Sequence, residues 1–370
     1  MNIAVIYGGE SVEHEVSILT AVQLIENIAK DNVIIPIYIT KQGKMYETKD
    51  YKRLDTYKGE SGLKEVCFVP NSPYLYIKNI VGNYKKYKQI DFCYIAMHGK
   101  CGEDGLMAAI LNMSHIPYSA SDILGSSVCL DKAIFKNAMF GLGVNIVPYI
   151  NVLKGDYQVN NVEILDKIEC DLGYPVIIKP SNLGSSIGIN IAYSKEDIES
   201  KINGSFLYDN MLVVEKFVDI DKEINVALFR YNNEMVFSSF EVPSRKDVIL
   251  SFDDKYLKSG ITREMYNVLD DSMDIKIKSI CEVVYKELRL NGVVRFDFIY
   301  SKDGILYLNE LNTIPGSMAN YLYKERGIDY RELTQMLYRE GVNYYKEKIK
   351  LNTNYDSKVL NKINSLKINK

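Results

Sequence analysis

A chain of 370 residues, 47% hydrophobic and 25% charged, has the make-up of a globular protein of two or three domains. A net charge of −3 and a pI near 5.8 exclude a general nucleic-acid binder, which needs a basic face. Three histidines and six cysteines without a C-x-x-C pair exclude a histidine-rich metal centre and leave no zinc or disulfide pattern. With no apolar run of spanning length and a strand-like "MNIAVIYGG" at the start, no membrane is expected, and the cytoplasm is.

"NIAVIYGG" reads as a buried strand ending in a glycine turn, and "HEVSILTAVQLIENI" as an amphipathic helix. "NVIIPIYIT" and "QIDFCYIAMHG" are further strands, so the first part is expected to be a parallel α/β sheet. Ligands of such sheets bind beyond the carboxyl ends of the strands, where Glu13 and His98 both fall. "LGSSVCLDKAIFKNAMFGLG" reads as helical, closing on glycine, and "YPVIIKP" as a strand. "SKEDIESKI" has a serine N-cap followed by acidic residues. "MLVVEKFV" and "KEINVALFRYNNEMVFSSFEV" alternate as antiparallel strands about the turn "YNNE". "SMDIKIKSICEVVYKELRL" is a long helix, and "GVVRFDFIYSKDGILYLNELN" a hairpin about Lys-Asp-Gly. A last helix is expected from Tyr330 to about Lys348. Polar residues 351–370 form a tail.

The hairpin carries the sharpest chemical signal. Asp297 and Glu310 lie on strands joined by a tight turn, and Asn312 shares the face of Glu310. Two carboxylates and an amide oxygen make an oxygen-only set that suits Mg²⁺ carrying phosphates, against the alternative of a solvated polar face. Flanking Phe296 and Phe298 favour the metal, because acids in apolar strands need a cation. Lys179 ends an apolar strand and opens "KPSNLGSSIGI", which sets an ammonium beside a Gly-Ser loop of backbone donors. The phosphate-loop pattern G-x-x-x-x-G-K-[ST] is absent, and alone the loop would be an ordinary turn. A strand edge at Glu215 could hold a purine and Glu223 ribose hydroxyls, although each alone reads as a surface residue. The first loop, "YGGES", has no G-x-G-x-x-G, which excludes a dinucleotide dehydrogenase.

The motifs "GGESVEHEVSI", "HGKCGEDG", "LDKAIFK", "YPVIIKPSNLGSSIGI", "VVEKF…KEINVALF", "RFDF" and "NELNTIPG" stand in the order and spacing of the D-alanine–D-alanine ligases. The chain resembles that family of the ATP-grasp superfamily from residue 3 to about residue 345. The resemblance implies an α/β fold, α+β in its C-terminal half. It would comprise a Rossmann-like substrate domain (1–120), a central ATP-grasp subdomain (121–213) and a catalytic subdomain (214–350). It also implies a homodimer and a role in peptidoglycan precursor synthesis. ATP would meet Lys132, Lys179, Ser185 and Ser186 at its phosphates, with Lys255 nearby. Its adenine would lie against Glu215, Lys216 and Val218, and its ribose against Glu223. Asp297, Glu310 and Asn312 would bind two Mg²⁺ ions, with Mn²⁺ as the substitute.

Glu13 would receive the ammonium of the first D-alanine and His98 would lie by its carboxylate, while Arg295 and the Gly316 N–H would steady the oxyanion. Tyr256 would link Ser185 to Glu13 and shut the site, within a closing segment at 244–270. D-serine, D-lactate or another amine is the alternative second substrate, of which a tyrosine there favours an amine, and a catalytically silent nucleotide-binding protein is the alternative class. The family's serine for the second substrate's carboxylate aligns with Tyr321 in "NTIPGSMANYLY", so Ser317 or Asn320 would take over or the pocket would be reshaped.

Overall fold

Strand β1 (Asn2–Gly8) is buried on both faces: Ile3, Val5 and Tyr7 join one core, Ala4 and Ile6 another. That double burial is why it reads as an unbroken apolar run. The computed structural model describes residues 1–370 except 29, 31, 61, 245–262, 353, 354, 356 and 358–370. After α1 (His14–Ile28) the chain enters β2 (Val33–Ile39), parallel to β1, and β7 (Phe92–Ile95) pairs parallel on the other side.

Between them lie β3 (Met45–Glu47), β4 (Lys64–Val69), β5 (Ser72–Lys78) and β6 (Tyr84–Gln89), which extend the sheet antiparallel. The seven-stranded order is β6-β5-β4-β3-β2-β1-β7: its β2-β1-β7 part is parallel, as the sequence suggests, and the antiparallel strands extend it on one side. A single 3₁₀ turn, Leu54–Tyr57, lies in the longer connection from β3 to β4, and a tight turn at Asn71, with φ 60°, joins β4 to β5.

Helix α2 (Leu106–Met113) covers this sheet. The stretch after it is helical, as expected, in two pieces, α3 (Ile123–Leu130) and α4 (Lys132–Gly141), broken at Asp131. Asp131 is extended, with ψ 105°, and its carboxylate caps Ile134 N while accepting from Ser181 Oγ at 2.6 Å. A capping aspartate with a partner outside the helix stops one helix and starts the next.

The four-stranded sheet β10-β9-β11-β8 comprises β8 (Tyr149–Leu153), β9 (Val176–Pro180), β10 (Asn190–Ala192) and β11 (Met211–Lys216), all antiparallel. Helix α5 (Lys154–Asp171), kinked at Asn160, and α6 (Lys195–Ser205) pack on it. Ser194 and Asp197 form a capping box at α6, as the serine and acidic residues suggest. Strand β11 pairs along its whole length within this sheet, so the expected boundary at 213/214 falls inside a strand. Cys129, Phe135 and Met139 of α3 and α4 pack in the core of the last sheet.

That last sheet, β14-β13-β12-β15-β16, is antiparallel. It consists of β12 (Ile220–Tyr231), β13 (Glu234–Pro243), β14 (Arg263–Tyr266), β15 (Val294–Ser301) and β16 (Leu306–Asn312). Asn232 and Asn233 both have positive φ in the β12–β13 turn, as a type I′ hairpin requires. Helix α7 (Asp271–Glu287) packs on one face. Helices α8 (Asn320–Lys324) and α9 (Tyr330–Ile349) share a core with α1 and with Ala227 and Phe229 of β12. The last helices therefore tie the first sheet to the third.

Candidate active site

The carboxyl ends of β1 and β7 place Glu13 and His98 together, as their positions in the sequence suggest. Gly99, after His98, lies so near that a Cβ on it would sit 3.0 Å from Glu13 Oε2. Gly184, in the Gly-Ser loop, makes the same approach from the other side, a Cβ there being 3.0 Å from the same oxygen. Glycine at both positions leaves that oxygen uncrowded, and at Gly99, with φ 67°, it also fits the left-handed backbone. Ser185, at φ 53°, then donates its hydroxyl directly to Glu13 Oε1. The loop from the central sheet thus closes on the carboxylate from the first sheet. Tyr256, expected to link these two residues, and Lys255 lie outside the described residues, as do residues 245–262 of the expected closing segment.

His98 is buried, which lowers its pKa and keeps the ring neutral. Its Nδ1 is 2.9 Å from Ile314 O, so Nδ1 carries the proton; Nε2, 2.8 Å from Thr20 Oγ1, accepts from that hydroxyl. Thr20 Oγ1 in turn accepts from Ser317 N at 3.3 Å. Glu103, which sequence reasoning did not single out although it sits in "HGKCGEDG", braces the same two loops. It accepts from Gly99 N at 2.8 Å and Ile314 N at 3.2 Å. Burial and the neighbouring Glu13 push its carboxyl up to about 8.

The loop that follows Asn312 has an unusual backbone. Ser317, Met318 and Ala319 all have φ between 48° and 53°, a left-handed run without glycine. Each such residue costs on the order of 1 kcal/mol or more, and persists because its surroundings hold it. Here Met318 and Ala319 are buried, and Ser317 Oγ donates to Gln23 of α1. Gly316, at the head of the run, faces open space.

Lysines gather on the opposite wall. Lys179 Nζ donates to Glu215 Oε2 at 2.7 Å and lies 3.5 Å from Asn309 Oδ1 on β16. Lys136, also missed by sequence reasoning, is paired with Glu215 Oε1 at 3.1 Å; Lys136 is 1% and Glu215 2% exposed. Burial opposes ionisation of Glu215, yet the two lysines hold it down at about 2. Its side chain is therefore not the surface group it resembles in isolation. Lys132, one helical turn before Lys136, donates to Leu183 O at 2.5 Å, and burial lowers its pKa while Glu310 raises it. Lys216 is exposed at the end of β11, and Val218 and Glu223 are half-buried beyond it.

On the third sheet, Asp297 pairs with Glu310 and Arg295 with Asn312, so all four share one face. The Arg295 guanidinium grips Asp297 with Nε and Nη2, both at 2.7 Å, and Asn312 Nδ2 adds a bond of 3.1 Å. Burial pushes Asp297 up to about 6, against the pull of Arg295 and with a push from Glu310. Among the described residues no three His, Cys, Asp or Glu side chains gather as a metal cluster. The set of Asp297, Glu310 and the Asn312 amide is nonetheless oxygen-only and carries the charge that Mg²⁺ selects, so it fits the ion in chemical kind.

Tyr321 turns away from solvent: its hydroxyl donates to Glu241 Oε2 at 3.0 Å. Ser317 and Asn320, the two expected substitutes, are both engaged within the loop and α1, Asn320 Nδ2 donating to Ser317 O at 2.9 Å.

Two family models match the chain, one described as the D-ala D-ala ligase N-terminus over residues 2–121 and one as its C-terminus over residues 138–339. A D-alanine–D-alanine ligase of Thermosipho melanesiensis is 32% identical over 362 residues, covering 96% of this chain and 98% of the relative. Among solved structures, the D-alanine–D-alanine ligase from Coxiella burnetii superposes with a TM-score of 0.79 over 95% of this chain and 97% of its own, at 22% identity. The VanG D-Ala:D-Ser ligase from Enterococcus faecalis gives 0.77 over 93% of this chain and 99% of its own, at 26% identity. With both halves matched and the two sets of groups meeting at Glu13 and Ser185, the chain belongs to the D-alanine–D-alanine ligase family.

Proposed function

We propose that the chain joins two D-alanines into D-alanyl-D-alanine, with ATP converted to ADP and phosphate, for cell-wall precursor synthesis. The contact that carries this reading is Ser185 to Glu13, which joins a phosphate-type loop to an ammonium-type carboxylate. An amide forms poorly from a free carboxylate in water. The first D-alanine, its ammonium on Glu13 and its carboxylate by His98, therefore attacks the γ-phosphate to give an acyl phosphate. Lys132 and Lys179, with N–H groups of the loop at Ser185 and Ser186, neutralise the charge on the transferring group. Neutral His98, its Nδ1–H given to Ile314 O and its Nε2 accepting from Thr20, lies beside that carboxylate as a fixed, uncharged wall of the subsite. The amine of the second D-alanine then attacks the acyl carbon. Arg295 and the Gly316 N–H hold the tetrahedral oxyanion, and phosphate leaves.

Adenine lies against Glu215, Lys216 and Val218, with ribose on Glu223. Asp297, Glu310 and Asn312 are the residues for two Mg²⁺ ions, or Mn²⁺, which when bound neutralise the phosphates. We divide the chain into a substrate unit built on the first sheet, a central unit from about residue 149 to 216, and a catalytic unit on the third sheet joined by α3 and α4. The reading includes a cytoplasmic homodimer, which sedimentation tests; no described helix is long and apolar enough to cross a membrane. ADP release that depends on added D-alanine supports the function, and nucleotide binding without such turnover refutes it.

A second reading keeps the reaction and changes the nucleophile to D-serine. Tyr321 in place of the family's serine motivates it, because its engagement with Glu241 leaves the second-substrate pocket lined differently from the family's pattern.

A further inference from the structure

One polar row crosses the third sheet. Glu310 pairs with Asp297, Asp297 with Asn225, Asn225 with Glu241, and Glu241 with Met265. Paired residues point to the same face, so the carboxylates that suit a metal and buried Glu241 belong to one surface. Arg263, two residues before Met265, is on that face too.

The bonds along the row decide which groups remain for a ligand. Glu241 is buried and accepts from Asn225 Nδ2 and Tyr321 OH, each at 3.0 Å, while Arg263 Nε lies 3.1 Å from its Oε1 as an ion-pair partner. The one hydroxyl proton of Tyr321 goes to Glu241, and a carboxylate has none to give back. Arg295 gives Nε and Nη2 to Asp297, and what remains of its guanidinium is assigned above to the oxyanion. Ser317 and Asn320 are engaged as described above.

Arg263 differs from these. Only its Nε is engaged; among the described residues its Nη groups meet no acceptor, and the side chain is 49% exposed. Its guanidinium is set over the Tyr321 ring, 5.2 Å from the centroid, with Glu241 fixing the other edge. A planar fork held at one edge and open at the other is built to take a carboxylate end-on.

Resting on the ligase reading above, we propose that Arg263 binds the carboxylate of the second amino acid, in the place that the family gives to the serine aligned with Tyr321. Tyr321 and Glu241 are positioning residues: the ring supports the guanidinium and the buried carboxylate orients it.

D-Alaninamide separates the two subsites, because it has an amine to attack with and no carboxylate to be phosphorylated. With ATP, D-alanine and D-alaninamide in one vessel, the ratio of D-alanyl-D-alanine to D-alanyl-D-alaninamide reads discrimination at the second subsite alone. The unmodified protein is expected to favour D-alanine, and Arg263→Ala to lower that preference about 10- to 100-fold, the range for losing a charged hydrogen-bonded pair. Arg263→Lys, which keeps the charge and loses the fork, is expected to fall between them. The KM for ATP should not move. An active Arg263→Ala or Arg263→Lys protein with an unchanged product ratio would overturn the assignment. Absence of D-alanine-dependent ADP release by the unmodified protein would overturn the ligase reading and this inference with it.

Discussion

Replacing Glu215 by glutamine removes the one negative charge that lies between Lys136 and Lys179. Lys136 is 1% exposed, so its ammonium cannot recover water when the partner is neutralised. Breaking a buried pair from one side typically costs about 3–5 kcal/mol, because the remaining charge is left uncompensated. Lys179 is 14% exposed and retains Asn309, so the larger share of the cost falls on Lys136. The chain has no tryptophan, which makes urea unfolding followed by far-ultraviolet circular dichroism the suitable assay. With m about 3 kcal/mol/M, Glu215→Gln should lower the midpoint by roughly 1–2 M. Adding Lys136→Met removes the stranded charge and should restore much of the loss. A single variant within about 0.3 M of the parent, or a double variant no better than the single, would refute the reasoning.

The remaining expectations concern activity and pH. Asp297→Asn or Glu310→Gln should abolish ADP release while circular dichroism stays unchanged; near-normal turnover in either would remove them from the phosphate-side chemistry. Lys179→Ala should raise the ATP requirement and slow turnover together, since its charge matters most as the phosphoryl group moves. A change confined to the KM for D-alanine would place it elsewhere. For Glu103, burial raises the folded-state carboxyl from an ordinary 4.5 to about 8. The fold favours the protonated form, so this contribution is complete below about 4.5 and lost as pH rises through about 8. The melting temperature should therefore fall less steeply between about pH 5 and 8 in Glu103→Gln than in the parent; parallel profiles would contradict it.

Much of the scaffold is legible because local signals agree with tertiary ones. β1, β2 and β7 are apolar runs, Asn232-Asn233 specifies its hairpin, and Ser194 caps its helix. Asp297, Glu310 and Asn312 could be placed on one face because the Lys-Asp-Gly turn sets the register. The added strands β3 to β6 are short, and β5 and β6, toward the edge of the sheet, are largely half-exposed or exposed and rich in Lys and Tyr, so their alternation is weak. Helix α5 is kinked at Asn160 and opens with Lys-Gly, which hides its period. The buried lysine was invisible for a different reason. Lys136 stands one turn from Lys132 and looks like a solvated helix residue until Glu215, on β11, is brought against it. Arg263 likewise follows no motif; only the pairing of β14 with β13 puts it beside Tyr321.

The most direct test of the ligase account is product identification by mass after incubating the protein with ATP, Mg²⁺ and, in parallel, D-alanine alone or with D-serine or D-lactate. The account predicts D-alanyl-D-alanine from D-alanine alone, with one ADP and one phosphate formed for each new amide bond. ADP formation without a dipeptide, or an ester with D-lactate in preference to any amide, would contradict it.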